Sequence, residues 1–140
     1  MNRDVQVAWE AALRSGSYAQ GRNALCVLRT TDDLPPLFCC LGVLCELAAD
    51  ADVVVRVERP GVDDLRRYRA PNASDEPGSV YYNYLPPAVQ TWAGLASHDP
   101  RSTDGRGNLM FSSREYEPTF ADLNDEGRSF ADIADLVAAL

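Results

Sequence analysis

Phe38-Cys39-Cys40-Leu41-Gly42-Val43-Leu44-Cys45-Glu46-Leu47-Ala48-Ala49, followed closely by Val53-Val54-Val55-Arg56-Val57, decides the fold of this chain. Wound at helical pitch, the first run is apolar on nearly every side, which marks a buried central helix and not an amphipathic surface one. From Leu37 to Ala49 it spans 13 residues and carries Glu46, so it falls short of the roughly 20 residues that cross a bilayer. Gly42 in its middle costs about 1 kcal/mol relative to alanine, and its presence there predicts the close approach of another backbone. The second run is β-branched and is ended by Pro60, the strongest strand signal in the chain.

Working outward, residues 3–15 read as an amphipathic helix. Val5, Trp9, Ala12 and Leu13 fall at helical spacing, Asn2 can cap it and Gly16 supplies the stop. Ala24-Leu25-Cys26-Val27-Leu28 is a short strand candidate, and residues 30–36 carry turn chemistry ending in Pro35-Pro36. Residues 61–78 read as irregular and polar, residues 79–84 as a second strand, and residues 109–112 as a further short strand. Pro86 and Pro87 suit the first turn of a helix that Gly94 ends. Residues 119–125 form a short helix closed by Gly127, and Ser129 caps a last one with Phe130, Ile133, Val137 and Leu140 on one face. Strands and helices come in groups without βαβ alternation. The expected fold is α+β: a small antiparallel sheet of three to four strands packed with about four helices, including a C-terminal αα-hairpin, in one domain over residues 1–140.

Composition excludes several chemistries. The 140 residues hold 13 positive charges, all arginine, against 21 acids, for a net charge of −8. Without lysine there is no Schiff base, no Walker-type phosphate lysine and no lysine general base. A single histidine rules out a multi-histidine metal site. On a helix at about 100° per residue, Cys39, Cys40 and Cys45 project near 0°, 100° and 240°, so they diverge and cannot chelate one ion. No cofactor or metal is expected. The N-terminus lacks an apolar signal core, which predicts a cytoplasmic protein with reduced thiols.

The remaining candidates for chemistry are sparse. Cys39 or Cys40, near a helix start that favours thiolate, can be read as a nucleophile with His98 as its base, although buried cysteine is the commoner use of the residue. Ser97-His98-Asp99 holds triad residue types, but sequence neighbours rarely form the relay. Gly105-Arg106-Gly107 is too small a motif to imply phosphate binding. Arg66 and Arg67 beside Tyr81, Tyr82 and Tyr84 can stack on and clamp a small phosphate-bearing ligand. Residues 115–135 hold seven acids and one arginine, so −6 of the net charge sits there. That excludes a basic nucleic-acid footprint and makes Asp125, Glu126, Asp132 and Asp135 a candidate surface for a cationic partner. A solvated acidic face is the plainer reading of the same residues.

Three groups of residues carry a resemblance. They are Trp9-Glu10-Ala11-Ala12-Leu13-Arg14-Ser15-Gly16-Ser17-Tyr18-Ala19-Gln20, then Phe38-Cys39-Cys40-Leu41-Gly42-Val43-Leu44-Cys45-Glu46-Leu47. The third joins Leu85-Pro86-Pro87-Ala88-Val89-Gln90-Thr91-Trp92-Ala93-Gly94-Leu95 with residues 123–135. Together they resemble an uncharacterised family of small proteins encoded by tailed bacteriophages and prophages. The resemblance covers about half of the chain, implies a phage or prophage accessory protein, and carries over no catalytic residue. Three functions follow as expectations. The first is a non-enzymatic accessory protein that binds a host protein in the bacterial cytoplasm, countering defence or redirecting host machinery. The second is a binder that sequesters a nucleotide-type signal, and the third a cysteine-dependent enzyme. Neither a membrane nor nucleic acid is an expected partner, and the oligomeric state is left open.

Overall fold

The computed structural model describes residues 1–29, 33–101 and 118–140. Within them the chain forms α1 (Arg3–Arg14), β1 (Ala19–Gln20), β2 (Cys26–Val27), β3 (Leu37–Phe38), α2 (Cys40–Asp50), β4 (Val55–Glu58), β5 (Arg66–Arg69), α3 (Pro87–Ala93), α4 (Phe120–Asp125) and α5 (Phe130–Ala138). The fold is α+β, and α4 with α5 makes the C-terminal helical hairpin. β3 lies between β1 and β2, parallel to the first and antiparallel to the second, while β4 and β5 form an antiparallel pair. A bridge between Val27 and Leu65 and a 2.6 Å bond from Leu28 N to Asp64 O join the two ladders.

Several sequence expectations need correcting. The pairing is mixed and not wholly antiparallel, and the described residues hold five strands and five helices. β5 lies inside the stretch that reads as irregular, because its Arg-Arg-Tyr-Arg sequence has no apolar alternation. Residues 79–84 contribute only isolated bridges, at Val80 and Tyr81. β4 starts two residues late, since Asp52 takes a left-handed φ of 58° and Val53 N returns to Ala48 O. The strand expected at 109–112 and the Gly105-Arg106-Gly107 motif lie outside the described residues.

α2 is the axis of the core. Leu41, Val43, Leu44, Cys45 and Ala48 are fully buried on all sides of it. A β-carbon at Gly42 would lie 1.7 Å from the Leu25 carbonyl oxygen, so this helix touches the loop before β2 backbone to backbone. α1 lays Val5, Trp9 and Leu13 into the same core. Trp9 donates its indole N–H to Cys40 O at 3.0 Å and meets the Phe120 ring edge-on at 5.7 Å. Buried Gln6 donates from Nε2 to Val137 O at 2.7 Å, taking up a terminal carbonyl of α5.

The helix ends follow their local chemistry. Asn2, Thr119 and Ser129 accept first-turn N–H groups, Thr119 in a reciprocal capping box with Asp122, and Gly94 closes α3 at a φ of 66°. Cys39 caps α2, its Sγ accepting from Gly42 N at 3.4 Å.

Candidate functional site

Among the described residues two concentrations of charge stand out. On one face of the sheet Glu46, from α2, is buried among the side chains of β4 and β5. Its Oε1 accepts from Tyr68 Oη at 2.6 Å and Arg66 Nη1 at 2.9 Å, and its Oε2 from Arg56 Nε at 2.8 Å. Burial pushes the Glu46 carboxyl up, but the hydrogen bonds from Arg56 and Tyr68 and the Arg66 charge outweigh it and hold it below the ordinary carboxylate value. Arg56 also reaches Asp50, and Arg66 reaches Glu58, both at 2.8 Å. Every polar atom of Glu46 is spent within the chain. This cluster holds the helix to the sheet.

The phosphate-clamp residues are drawn into the same economy of pairs. Arg67 forks onto Asp63 at 2.9 and 2.7 Å and stacks over the Tyr82 ring at 5.6 Å. The guanidinium, and next the Leu65 N–H, lower the Asp63 carboxyl to about 2. Arg66 faces Glu46 and Glu58, and Tyr81 exchanges backbone bonds with Tyr68. A phosphate would have to displace carboxylates already in place.

The second place is a cleft where α2 and α4 begin. A hollow of about 210 Å³ is lined by Asn23, Cys39, Asn83, Tyr84, Asp99, Asp122 and Asp125, with Ala24 and Ala121. A second, of about 280 Å³, shares Tyr84 and Asp99 with it and adds Ser97, His98, Arg101 and Thr119. Each carboxylate is held by backbone. Asp99 Oδ1 accepts from Ala121 N at 3.4 Å, Asp122 Oδ2 from Thr119 N at 2.9 Å and Asp125 Oδ1 from Asn23 N at 3.0 Å. Asn23 can aim its N–H this way because it adopts a left-handed φ of 67°. Burial raises the Asp99 carboxyl above its usual value against the hydrogen bonds from Thr119 and Ala121. The Tyr84 ring meets the His98 ring edge-on, centroids 4.8 Å apart.

The fold thus gathers residues that the sequence singles out for unrelated reasons: Cys39, His98, Tyr84 and Asp125. Asp99, singled out with His98, joins them, and the fold adds Asp122, placed here by α4. Glu126 is exposed beside the cleft. Asp132 and Asp135 sit apart, lining a hollow with Leu123, Arg128 and Leu136, and Asp135 pairs with Arg14. The four acids proposed as one partner surface are therefore two surfaces.

The cysteines are placed for packing. All four are free and buried. Burial pushes the Cys39 thiol up to about 12, against the Gly42 and Leu41 N–H groups, and raises Cys40 well above its ordinary value. A thiol at that value holds almost no thiolate at neutral pH. A water-soluble maleimide is expected to leave the native protein unlabelled and to modify all four cysteines after denaturation. Rapid native labelling of Cys39 would reinstate it as a nucleophile.

Two polar residues with no sequence signal, buried Asn124 and half-buried Gln20, tie together the elements around the cleft. Asn124 accepts from Cys40 N at 3.2 Å and donates to Gly21 O at 2.8 Å, tying α4 to the start of α2. Gln20 donates to Asn124 Oδ1 at 3.0 Å and to Arg128 O at 2.7 Å, and accepts from Phe130 N at 3.1 Å. Such long-range bonds between side chains and backbone leave no periodic mark. Among the described residues no group of three or more metal-ligating side chains is placed to hold an ion, and no helix is long and apolar enough to cross a membrane.

Compared with known proteins, the chain matches over residues 1–140 the family described as Domain of unknown function (DUF8296). No curated protein and no solved structure matches it.

Proposed function

We propose that this chain, which belongs to that family, is a non-enzymatic binding protein whose acidic cleft receives a cationic side chain of a partner protein. One observation carries the reading: Asp99, Asp122 and Asp125 line a single hollow walled by the Tyr84 ring. Carboxylates with an aromatic face are the chemistry that recognises a guanidinium or ammonium group. A phage or prophage accessory protein acting on a host protein in the bacterial cytoplasm is the setting that the sequence resemblance suggests. Opposite charge then steers the encounter and makes it sensitive to salt.

The two other readings draw less support. A nucleotide-type ligand needs free arginines, and Arg66 and Arg67 are paired with Glu46, Glu58 and Asp63. A cysteine enzyme needs a thiolate, which burial suppresses at Cys39 and Cys40.

The test is an NMR titration with a blocked Gly-Arg-Arg-Gly peptide, with inorganic phosphate as the comparison. The amides of Asn23, Asn83 and Ala121 are expected to shift with the peptide and not with phosphate. The shifts should shrink as salt is added and vanish in an Asp99→Asn, Asp125→Asn double variant. Amides that ignore the peptide at low salt, or an unchanged response in the double variant, would remove the cleft as the binding site.

A further inference from the structure

β4 is the outer strand of its ladder. β5 pairs along one edge, and no strand among the described residues pairs along the other. The aim of its unused backbone groups follows from β5. Tyr68 N donates to Tyr81 O, and Tyr81 N to Tyr68 O, both at 2.9 Å, so both backbone groups of Tyr68 point away from β4. Arg56, opposite Tyr68, therefore sits in a non-hydrogen-bonded pair, and its own N–H and C=O point outward. Glu58, two residues on and opposite Arg66, points the same way. Val55 and Val57 alternate with them and face Arg69 and Arg67. The open edge offers two donors and two acceptors in the spacing of an antiparallel strand.

We propose that β4 pairs antiparallel with β4 of a second copy of this chain, the two-fold axis passing through Val57. In that register Arg56 lies opposite the second copy's Glu58, Glu58 lies opposite the second copy's Arg56, and the two Val57 side chains meet on the other face. Centring the axis on Arg56 would set arginine against arginine, which like charges disfavour. A slip of one residue would turn every side chain to the wrong face. Centring the axis on Glu58 would set glutamate against glutamate, so of the registers centred on Arg56, Val57 and Glu58 the middle one is left. The side chains keep capacity for it: Arg56 spends Nε and Nη2 on Glu46 and Asp50, and Glu58 spends Oε1 on Arg66. Arg56 Nη1 and Glu58 Oε2 make no hydrogen bond among the described residues. Charges on a strand edge usually guard it against pairing; this alternation of sign instead admits a copy of itself. An edge of four residues makes a small interface, so the dimer is weak and depends on concentration.

Sedimentation velocity over a range of concentrations, with amide hydrogen exchange at each, tests the proposal. The expected result is a monomer–dimer equilibrium in which exchange at the Arg56 and Glu58 amides slows as dimer accumulates, while exchange elsewhere stays constant. Glu58→Pro removes an outward N–H that the internal ladder does not use, and Val57→Lys brings two lysines together at the axis. Both variants are expected to sediment as monomers with unchanged circular dichroism; should Glu58→Pro disturb the fold, Val57→Lys decides alone. A wild-type chain that stays monomeric throughout would overturn the proposal. So would a dimer that survives Val57→Lys, or one that leaves the Arg56 and Glu58 amides unprotected.

Discussion

Gly42→Ala is expected to destabilise the protein by about 4–5 kcal/mol, a large part of the roughly 5–15 kcal/mol that holds a domain folded. By helix propensity alone the change should help by about 1 kcal/mol. The sign reverses because the new methyl would lie 1.7 Å from the Leu25 carbonyl oxygen. No rotamer change relieves that overlap, since both atoms are fixed to backbone. Leu25 is itself tied, its N–H bonded to Tyr82 O at 2.7 Å and its carbonyl accepting from Cys39 N at 3.2 Å. α2 must therefore move bodily out of a close-packed core. For a chain of this length the loss corresponds to a melting temperature lower by about 8–20 °C. Thermal denaturation followed by circular dichroism reads it directly; a variant that melts with or above the wild type would show that the contact is looser than described.

Glu46→Ala is the second large effect, expected near 3 kcal/mol. Removing one member of a buried ion cluster typically costs about 3–5 kcal/mol, because its partners stay behind without compensation. Here the fully buried Tyr68 hydroxyl is stranded, and the Arg66 guanidinium loses one carboxylate and keeps only Glu58. Arg56 keeps Asp50 and is partly in water, which places the estimate at the low end. Arg56→Ala should cost clearly less, since Glu46 would retain Tyr68 and Arg66.

The same cluster sets an acid dependence. Glu46 titrates lower in the folded protein than in the unfolded chain, where a glutamate sits near about 4.3. Its contribution is therefore complete above that value and is lost as pH falls through the lower, folded value. The stability gap between wild type and Glu46→Gln, measured by urea denaturation, should be widest near neutrality and narrow below about pH 4. A gap that stays constant on acidification would mean that Glu46 is not held as a carboxylate by its neighbours.

The parts of this fold legible in the sequence are those written locally. Gly42 inside an apolar helix announces a backbone contact, and Thr119, Ser129 and Gly94 mark helix ends where the structure has them. β5 escapes such a reading because three of its four residues are arginines. Their place in a sheet is set by carboxylates at Glu46, Glu58, Asp63 and Asp75, up to 20 residues away in sequence. β1 and β3 are two residues each, too short for any period to show. The cleft stands between these cases. Cys39, Tyr84, His98 and Asp125 are conspicuous as residue types, but their convergence depends on Gln20 and Asn124 bonding to backbone more than 80 residues distant.

Gln6 meets the far end of α5 across 131 positions of sequence, and this bears on how the protein is made. α1 is made before α5 and meets α2 first, Trp9 lying 31 positions from Cys40, while the Val137 carbonyl that Gln6 reaches is still unmade. Closing so long a loop is entropically slow and brings no reward until α5 arrives. Until α5 is made, the part of the α1 stripe that α2 does not cover stays exposed on the nascent chain. Closure of the core between α1 and α5 is thus a late event, and a molecular chaperone that shelters α1 has its greatest influence before α5 exists.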